Sequence, residues 1–377
     1  MTIEALLDFR DVSKCPTLVI KIGSALLVHT DGTPRFDWLR SVAHEIAGAR
    51  ERGQKVIVVA SGSVALGAAM LELPGGGRDT LAHAQAAASV GQVFLASTWA
   101  QMFAEHNLMA GQMLLSLDDL ENRGRYLNAR ATLRELLERG AIPIINENDT
   151  TATQEIKFGD NDRLAARVAQ AAGANGVILL TDVEGLYTAH PSEPNAELLE
   201  EVRGVTPEMH AMATGGSGSG MGSGGMSSKL LAAEIAERAG IALTIIKGVD
   251  DYPIGRALSA NLGTVFLPKR DDNAFKSWIG GRMRFNGSLR IDAGAVEALR
   301  GGKSLLAAGV TDVFGKFERA DVIAIEDPDG RMIAKGMVEY DSNQCDAIKG
   351  LRSEQLSEKL GTIPRSAVIH RDQMVLL

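Results

Sequence analysis

Short, continuously apolar runs rich in Val and Ile punctuate the first two thirds of the chain, at 17–22, 55–60, 109–115, 142–145, 177–180 and 242–246. Between them lie longer stretches of helical period and length, notably 36–52, 80–105, 120–139 and 163–172. Strands with one wet face alternate apolar and polar residues, whereas unbroken apolar runs suit strands buried on both faces. Such strands, alternating with helices of crossover length, predict an α/β unit over residues 1–268: a three-layer αβα sandwich around a mainly parallel central sheet. The rhythm breaks at the polar stretch 269–280, which reads as a linker. Beyond it, at 281–377, strand-like pieces (288–291, 310–314, 322–326, 332–340) are separated by Gly, Asp and Pro with few helices, which predicts a small, mostly β domain.

Composition narrows the class. With 45% hydrophobic and 23% charged residues the chain is an ordinary globular one, neither disordered nor fibrous. The formal net charge is −8, and from residue 273 onward 15 basic residues face 14 acidic ones, so the acidic excess lies in the α/β unit. Sequence-independent binding to nucleic acid is disfavoured on that charge. Cys15 and Cys345 form neither a ligand spacing nor a disulfide framework, and the seven histidines are scattered without HExxH. The N-terminus has no basic leader region and no apolar run reaches spanning length, so the expectation is a cytoplasmic protein with no membrane contact.

In an open parallel sheet, ligands bind beyond the carboxyl ends of the strands, and the chemistry-bearing residues cluster there. Lys21 closes the first apolar run and is followed by Gly23-Ser24. After the second run, Ser61-Gly-Ser-Val-Ala-Leu-Gly67 turns into a helix whose free N–H groups suit an anion, though a plain turn with Ser61 as N-cap explains it equally. After the fourth come Asn146-Glu-Asn-Asp-Thr150 and Gly159-Asp-Asn-Asp162, with seven carboxylate or carboxamide side chains. They suit an ammonium group, the orienting of lysines, or water around a phosphate-bound Mg²⁺, and a solvated acidic loop is the plain alternative. Thr181 and Asp182 leave the fifth run, where a nucleotide base and ribose or a simple turn fits.

The Gly/Ser-rich stretch 214–225 contains Gly220, Gly222 and Gly225 in G-x-G-x-x-G spacing, but no strand precedes it as a dinucleotide fingerprint requires. A phosphate-covering loop ending in Lys229 is the better reading. Gly301-Gly-Lys-Ser304 is no P-loop, because Glu297 stands where the first glycine belongs. Lys21 and Lys229 therefore predict a phosphoryl group gripped from two sides without a Walker motif.

Val19-Ile-Lys-Ile-Gly-Ser24, Ser61-Gly-Ser63, Val90-Gly-Gln92, Gly111-Gln-Met-Leu-Leu115, Leu127-Asn-Ala-Arg130, Pro143-Ile-Ile-Asn-Glu-Asn-Asp149, Gly159-Asp-Asn-Asp162, Leu180-Thr-Asp182, Gly185-Leu-Tyr-Thr188 and Gly224-Gly-Met-Ser-Ser-Lys229 together resemble the glutamate 5-kinases of the amino acid kinase family. Gly287-Ser-Leu-Arg-Ile-Asp-Ala-Gly-Ala295, Lys303-Ser-Leu-Leu306 and Ile333-Ala-Lys-Gly336 are similar to the PUA domain appended to many of them, with Ala320 where that pattern usually has glycine. The resemblance implies ATP- and Mg²⁺-dependent phosphorylation of the γ-carboxylate of L-glutamate, the first step of proline biosynthesis.

By family match, Lys21, Thr181, Asp182, Ser223, Gly224, Gly225, Met226, Ser227, Ser228 and Lys229 fall on ATP-binding positions, and Ser61, Asp149 and Asn161 on substrate positions. On the physical argument, Lys21 and Lys229 carry transition-state charge, Asp162 orients them, Gly23 and Gly62 offer backbone N–H groups to phosphate, and Asp149 pairs the substrate's α-ammonium. The family further implies a homo-oligomer, feedback inhibition by proline and contact with the reductase that consumes glutamyl phosphate. N-acetylglutamate kinase, aspartokinase, carbamate kinase and uridylate kinase share the fold. Against the first, an anionic Asp149 would have no charge partner on an acylated nitrogen. RNA binding through the PUA domain is the alternative from another class, weakened by that domain's near-balanced charge.

Overall fold

In a computed structural model, which describes residues 2–29, 33–151, 161–189, 193–214, 225–268, 285–360, 365 and 367–377, the apolar runs become strands of one eight-stranded sheet. They are β1 (Thr17–Ile22), β2 (Lys55–Ala60), β3 (Ala110–Leu115), β4 (Ile142–Glu147), β5 (Gly176–Thr181), β6 (Glu201–Arg203), β7 (Ala242–Lys247) and β8 (Thr264–Leu267), in the order β3-β4-β2-β1-β5-β7-β8-β6. The pairs from β3 to β7 are parallel, so the carboxyl ends of β1, β2, β4, β5 and β7 share one edge. Only β8 turns against β7, with β6 alongside it. β6 escapes sequence reading because three residues with a single buried centre carry too little pattern. Chain contacts divide the protein into units Met1–Asp271 and Asp272–Leu377; the linker expected at 269–280 lies outside the described residues.

Helices α1 (Ser24–Leu27), α2 (Phe36–Glu51), α3 (Ser63–Met70), α4 (Leu81–Ala104), α5 (Leu117–Glu121), α6 (Arg123–Glu138), α7 (Asn161–Ala172), α8 (Pro207–Thr214), α9 (Met226–Arg238) and α10 (Pro253–Ala260) connect the strands. The periodic stretch 120–139 is not one helix. Asn122 adopts extended dihedrals and its side chain accepts from the Arg125 N–H, so a cap intervenes and α6 starts afresh. No helix among the described residues is long and apolar enough to cross a membrane.

Two cores flank the sheet. Leu18, Ile20 and Ile22 join Trp38 of α2 and Leu95 and Trp99 of α4 on one face, while Val19 joins Leu133, Leu164 and Leu230 of α6, α7 and α9 on the other. Each such aliphatic side chain contributes about 1.5–3 kcal/mol on burial. Side chains alternate along a strand, so Lys21 falls in the phase of Val19 and emerges on the α7 and α9 side. A buried ammonium costs several kcal/mol unless paired, which makes its partner the central question of the site.

The second unit carries a five-stranded sheet in the order β10-β9-β11-β12-β13, from β9 (Gly287–Ile291), β10 (Val310–Gly315), β11 (Val322–Glu326), β12 (Met332–Met337) and β13 (Met374–Leu376). The run expected to continue to 340 stops at Met337. Tyr340 instead packs in the core of this unit and leads into the helix Ser342–Ile348, which Asp341 caps.

Candidate active site

Asp162, in the first turn of α7, is the partner of Lys21. The Lys21 ammonium lies 2.6 Å from Asp162 Oδ1, and the Lys229 ammonium, from the first turn of α9, lies 3.2 Å from Oδ2. All three residues are buried. Burial pushes the Asp162 carboxyl up, but the two ammonium groups outweigh it and hold the group below the ordinary carboxylate value. Burial, with Lys21 adding to it, pulls Lys229 down against the support of Asp162. The triad itself carries one excess positive charge in a buried place, an arrangement that an anion would neutralise.

A second group of polar side chains forms a continuous chain. Ser63 Oγ donates to Asp149 Oδ2 at 3.2 Å, and Asn146 Nδ2 donates to Ser63 Oγ at 3.1 Å and to Gln92 Oε1 at 2.7 Å. Asn161 Nδ2 donates to Asn146 Oδ1 at 3.1 Å and to Ser61 Oγ at 2.7 Å. Burial pushes the Asp149 carboxyl up to about 6, opposed by its Ser63 hydrogen bond and by Arg78. Gln92 Nε2 and Asn161 Oδ1 are buried without a hydrogen-bond partner among the described residues. A donor and an acceptor remain, which is what a molecule bearing both carboxylate and ammonium requires.

Local geometry explains how these groups are held. Gly62 has φ +97 and caps α3, and a Cβ there would sit 2.8 Å from Leu27 Cδ1, so only glycine fits. Ser61 is therefore not the helix cap that the plain reading offered; its hydroxyl serves Asn161. A Cβ on Gly91 would lie 1.9 Å from Ser63 O. That close approach of α4 to α3 sets Ser63 and Gln92 side by side under Asn146.

One expected role needs correction. The Gly23 N–H, expected to face a phosphate, donates to Leu180 O at 3.2 Å and ties β1 to β5 instead. A Cβ there would make only ordinary contacts, 3.4 Å from Leu180 O and 3.9 Å from the Lys21 ammonium, so packing does not demand glycine.

Thr181 is buried at the end of β5 and its hydroxyl donates to Asp182 Oδ1 at 3.0 Å, with Asp182 exposed. Gly225 is the extended N-cap residue of α9, and Met226, Ser227 and Ser228 form its half-buried first turn. Ser223 and Gly224 lie outside the described residues. Gln92 was assigned no role from the sequence, and Ser63 and Asn146 were read only as members of their polar stretches. The three sit on three elements with no shared spacing, and the local signal for Gln92 was a carboxamide in the buried register of an otherwise apolar helix.

The amino acid kinase family model matches residues 16–247, and the PUA domain model matches residues 287–360. A glutamate 5-kinase from Novosphingobium aromaticivorans is 59% identical over 377 residues, covering 100% of both chains. One from Sphingopyxis alaskensis is 53% identical over 365 residues, covering 97% of this chain and 98% of its own. Among solved structures, carbamate kinase from Giardia lamblia bound to AMP-PNP aligns with 67% of this chain and 99% of its own, at 17% identity and a TM-score of 0.48.

Proposed function

The chain belongs to the amino acid kinase family, and from that premise we propose that it transfers the γ-phosphoryl group of ATP to the γ-carboxylate of L-glutamate, forming L-glutamyl 5-phosphate for proline biosynthesis. Full-length relatives that are glutamate 5-kinases support this reaction. The observation that carries the site is the pair of buried lysines on one carboxylate.

A glutamate γ-carboxylate has a reference pKa near 4.3, so at neutral pH the nucleophile is already ionised and no general base is needed. The barrier is the approach of an anion to a polyanion. One carboxylate oxygen attacks the γ-phosphorus while the bond to the β-bridging oxygen breaks and ADP departs with that electron pair. Lys21 and Lys229, held apart by Asp162, face the charge that develops on the transferring group. Thr181, Asp182 and the first turn of α9 bind the nucleotide. Mg²⁺ is taken to come bound to the ATP phosphates, where it would offset their charge.

Asp149 is the partner of the α-ammonium. Its raised pKa reflects a buried carboxylate without an ion-pair partner among the described residues, and a substrate ammonium at about 4 Å would restore its charge. Asn161 and Ser61 complete the substrate side. The engagement of Arg290 by Glu326 and of Arg319 and Arg365 by Glu339 gives the RNA reading no support. Homo-oligomerisation, feedback inhibition by proline and association with the reductase belong to this reading and rest on the family resemblance; a cytoplasmic location belongs to it too and rests on the absence of a disulfide framework in the sequence.

Incubation with ATP, Mg²⁺ and hydroxylamine, offering glutamate, N-acetylglutamate or aspartate in turn, tests the assignment. A hydroxamate formed with glutamate alone is expected; a hydroxamate formed only with another acid would overturn it.

A further inference from the structure

Ser63 stands in the middle of the buried polar chain, yet no step of the proposed reaction uses it. It is the first residue of α3 and 2% exposed, between Asn146 at 1% and Asp149 at 8%. A hydroxyl holds one proton, so its two contacts cannot both be donations. A neighbouring backbone group decides which of them carries the proton.

The Glu147 backbone N–H donates to Asn146 Oδ1 at 2.9 Å. A peptide N–H only donates, so it fixes which end of the Asn146 amide is oxygen. The amide nitrogen then faces Ser63 Oγ at 3.1 Å and Gln92 Oε1 at 2.7 Å. That nitrogen also only donates, so Ser63 Oγ accepts from it and sends its own proton to Asp149 Oδ2, 3.2 Å away. The donors from Glu147 to Asp149 thus point one way.

A carboxyl whose Oδ2 is held as an acceptor takes up a proton only on Oδ1, which has no hydrogen-bond partner among the described residues. Oδ1 is therefore the atom for which a proton and a substrate ammonium compete. A hydrogen bond to the charged form favours that form, and Ser63 opposes the burial that raises Asp149. Few other charges surround it among the described residues. α3 carries no titratable side chain, and α4, which packs on the turn Asp149–Thr151, carries His83 alone. β4 ends in Glu147, and the loop before α4 carries Asp79 and Arg78, of which Arg78 draws Asp149 toward its charged form.

We propose, on the assignment of Asp149 to the α-ammonium, that Ser63 is a positioning residue of the glutamate site: it commits its proton to Asp149 Oδ2, holds that carboxylate as the charged acceptor and reserves Oδ1 for the ammonium. Half of the test needs no substrate, so its failure is distinguishable from a failure of the hydroxamate assay.

That half is denaturant unfolding of the full chain across pH 4 to 8. In the parent, the stability lost as folded Asp149 gives up its proton levels off near pH 6. Ser63→Ala removes a bond to the charged form, so folded Asp149 keeps its proton longer and the loss is expected to run about one pH unit further. With Asp149→Asn in place, Ser63→Ala is expected to leave the pH dependence unchanged. The other half reads KM for glutamate at saturating ATP. The ratio of Ser63→Ala to parent is expected to be about fivefold at pH 6 and close to one at pH 8, with KM for ATP changed by less than about twofold. A ratio that is the same at every pH, an unfolding profile that Ser63→Ala does not shift, or a shift that persists with Asp149→Asn would each overturn the proposal, because loss of packing alone produces those results.

Discussion

Lys21 and Lys229 meet opposite oxygens of a single carboxylate, at 2.6 and 3.2 Å, although one side chain leaves a strand and the other a helix. The arrangement separates catalysis from stability. Replacing either lysine by alanine leaves Asp162 with one partner and a neutral pair, so the fold should hold while turnover falls about 10²–10³-fold, the loss typical of one transition-state donor. Asp162→Ala leaves two buried ammonium groups facing each other and should cost about 3–5 kcal/mol in denaturant unfolding. Near-normal turnover in both lysine variants would refute the two-lysine mechanism.

Asp149 ties stability and substrate affinity to pH in opposite directions. Its folded-state value of about 6 lies above the ordinary 3.8, so between these the folded state holds the proton and the unfolded state does not. Its contribution to stability is therefore fully present below pH 4 and is lost as pH rises to about 6, by at most about 3 kcal/mol. Asp149→Asn should remove this slope and be more stable than the parent at pH 7. In the parent, KM for glutamate should rise as pH falls below about 6, because the protonated carboxyl no longer attracts the α-ammonium. A KM independent of pH from 5 to 8 would count against the assignment.

Gln92, on the buried face of α4, anchors Asn146 by accepting from its Nδ2. Gln92→Ala removes one buried hydrogen bond and frees the Asn146 amide, a loss of about 1–1.5 kcal/mol. The expected result is a KM for glutamate raised about 5- to 10-fold with KM for ATP and kcat nearly unchanged. Equal effects on both substrates would indicate a role in packing alone.

Ala320, where the PUA pattern usually has glycine, adopts φ +73 while fully buried and donates its N–H to Val338 O at 2.8 Å. A left-handed non-glycine residue costs about 1–2 kcal/mol. Ala320→Gly relieves that cost, loses a buried methyl worth about 0.8 kcal/mol and adds unfolded-state freedom worth about 0.4–1 kcal/mol. These terms nearly cancel, so stability should change by less than about 0.5 kcal/mol on that balance. Ala334→Gly, equally buried but in an ordinary strand, should cost about 1.2–1.8 kcal/mol by the same terms. Equal losses at both positions would mean that Ala320 carries no strain.

By itself the sequence determined the αβα architecture and the edge of the sheet where chemistry gathers, because unbroken Val/Ile runs and helical periods are local patterns that each segment carries alone. It also singled out Lys21, Lys229 and Asp162, since charged residues beside glycine at strand and helix ends stand out one by one. Only the tertiary structure decided how they meet. Strand alternation, the seating of α7 against β1 and of α9 against α7 bring both ammonium groups to one carboxylate, and no spacing along the chain encodes that distance. The same holds for the chain from Asp149 to Ser61, where Ser63, Asn146 and Gln92 acquire roles through the close approach of α3 and α4 at Gly91. Gly23 shows the converse: its position was legible, but whether its N–H is free depends on Leu180, a neighbour supplied by β5.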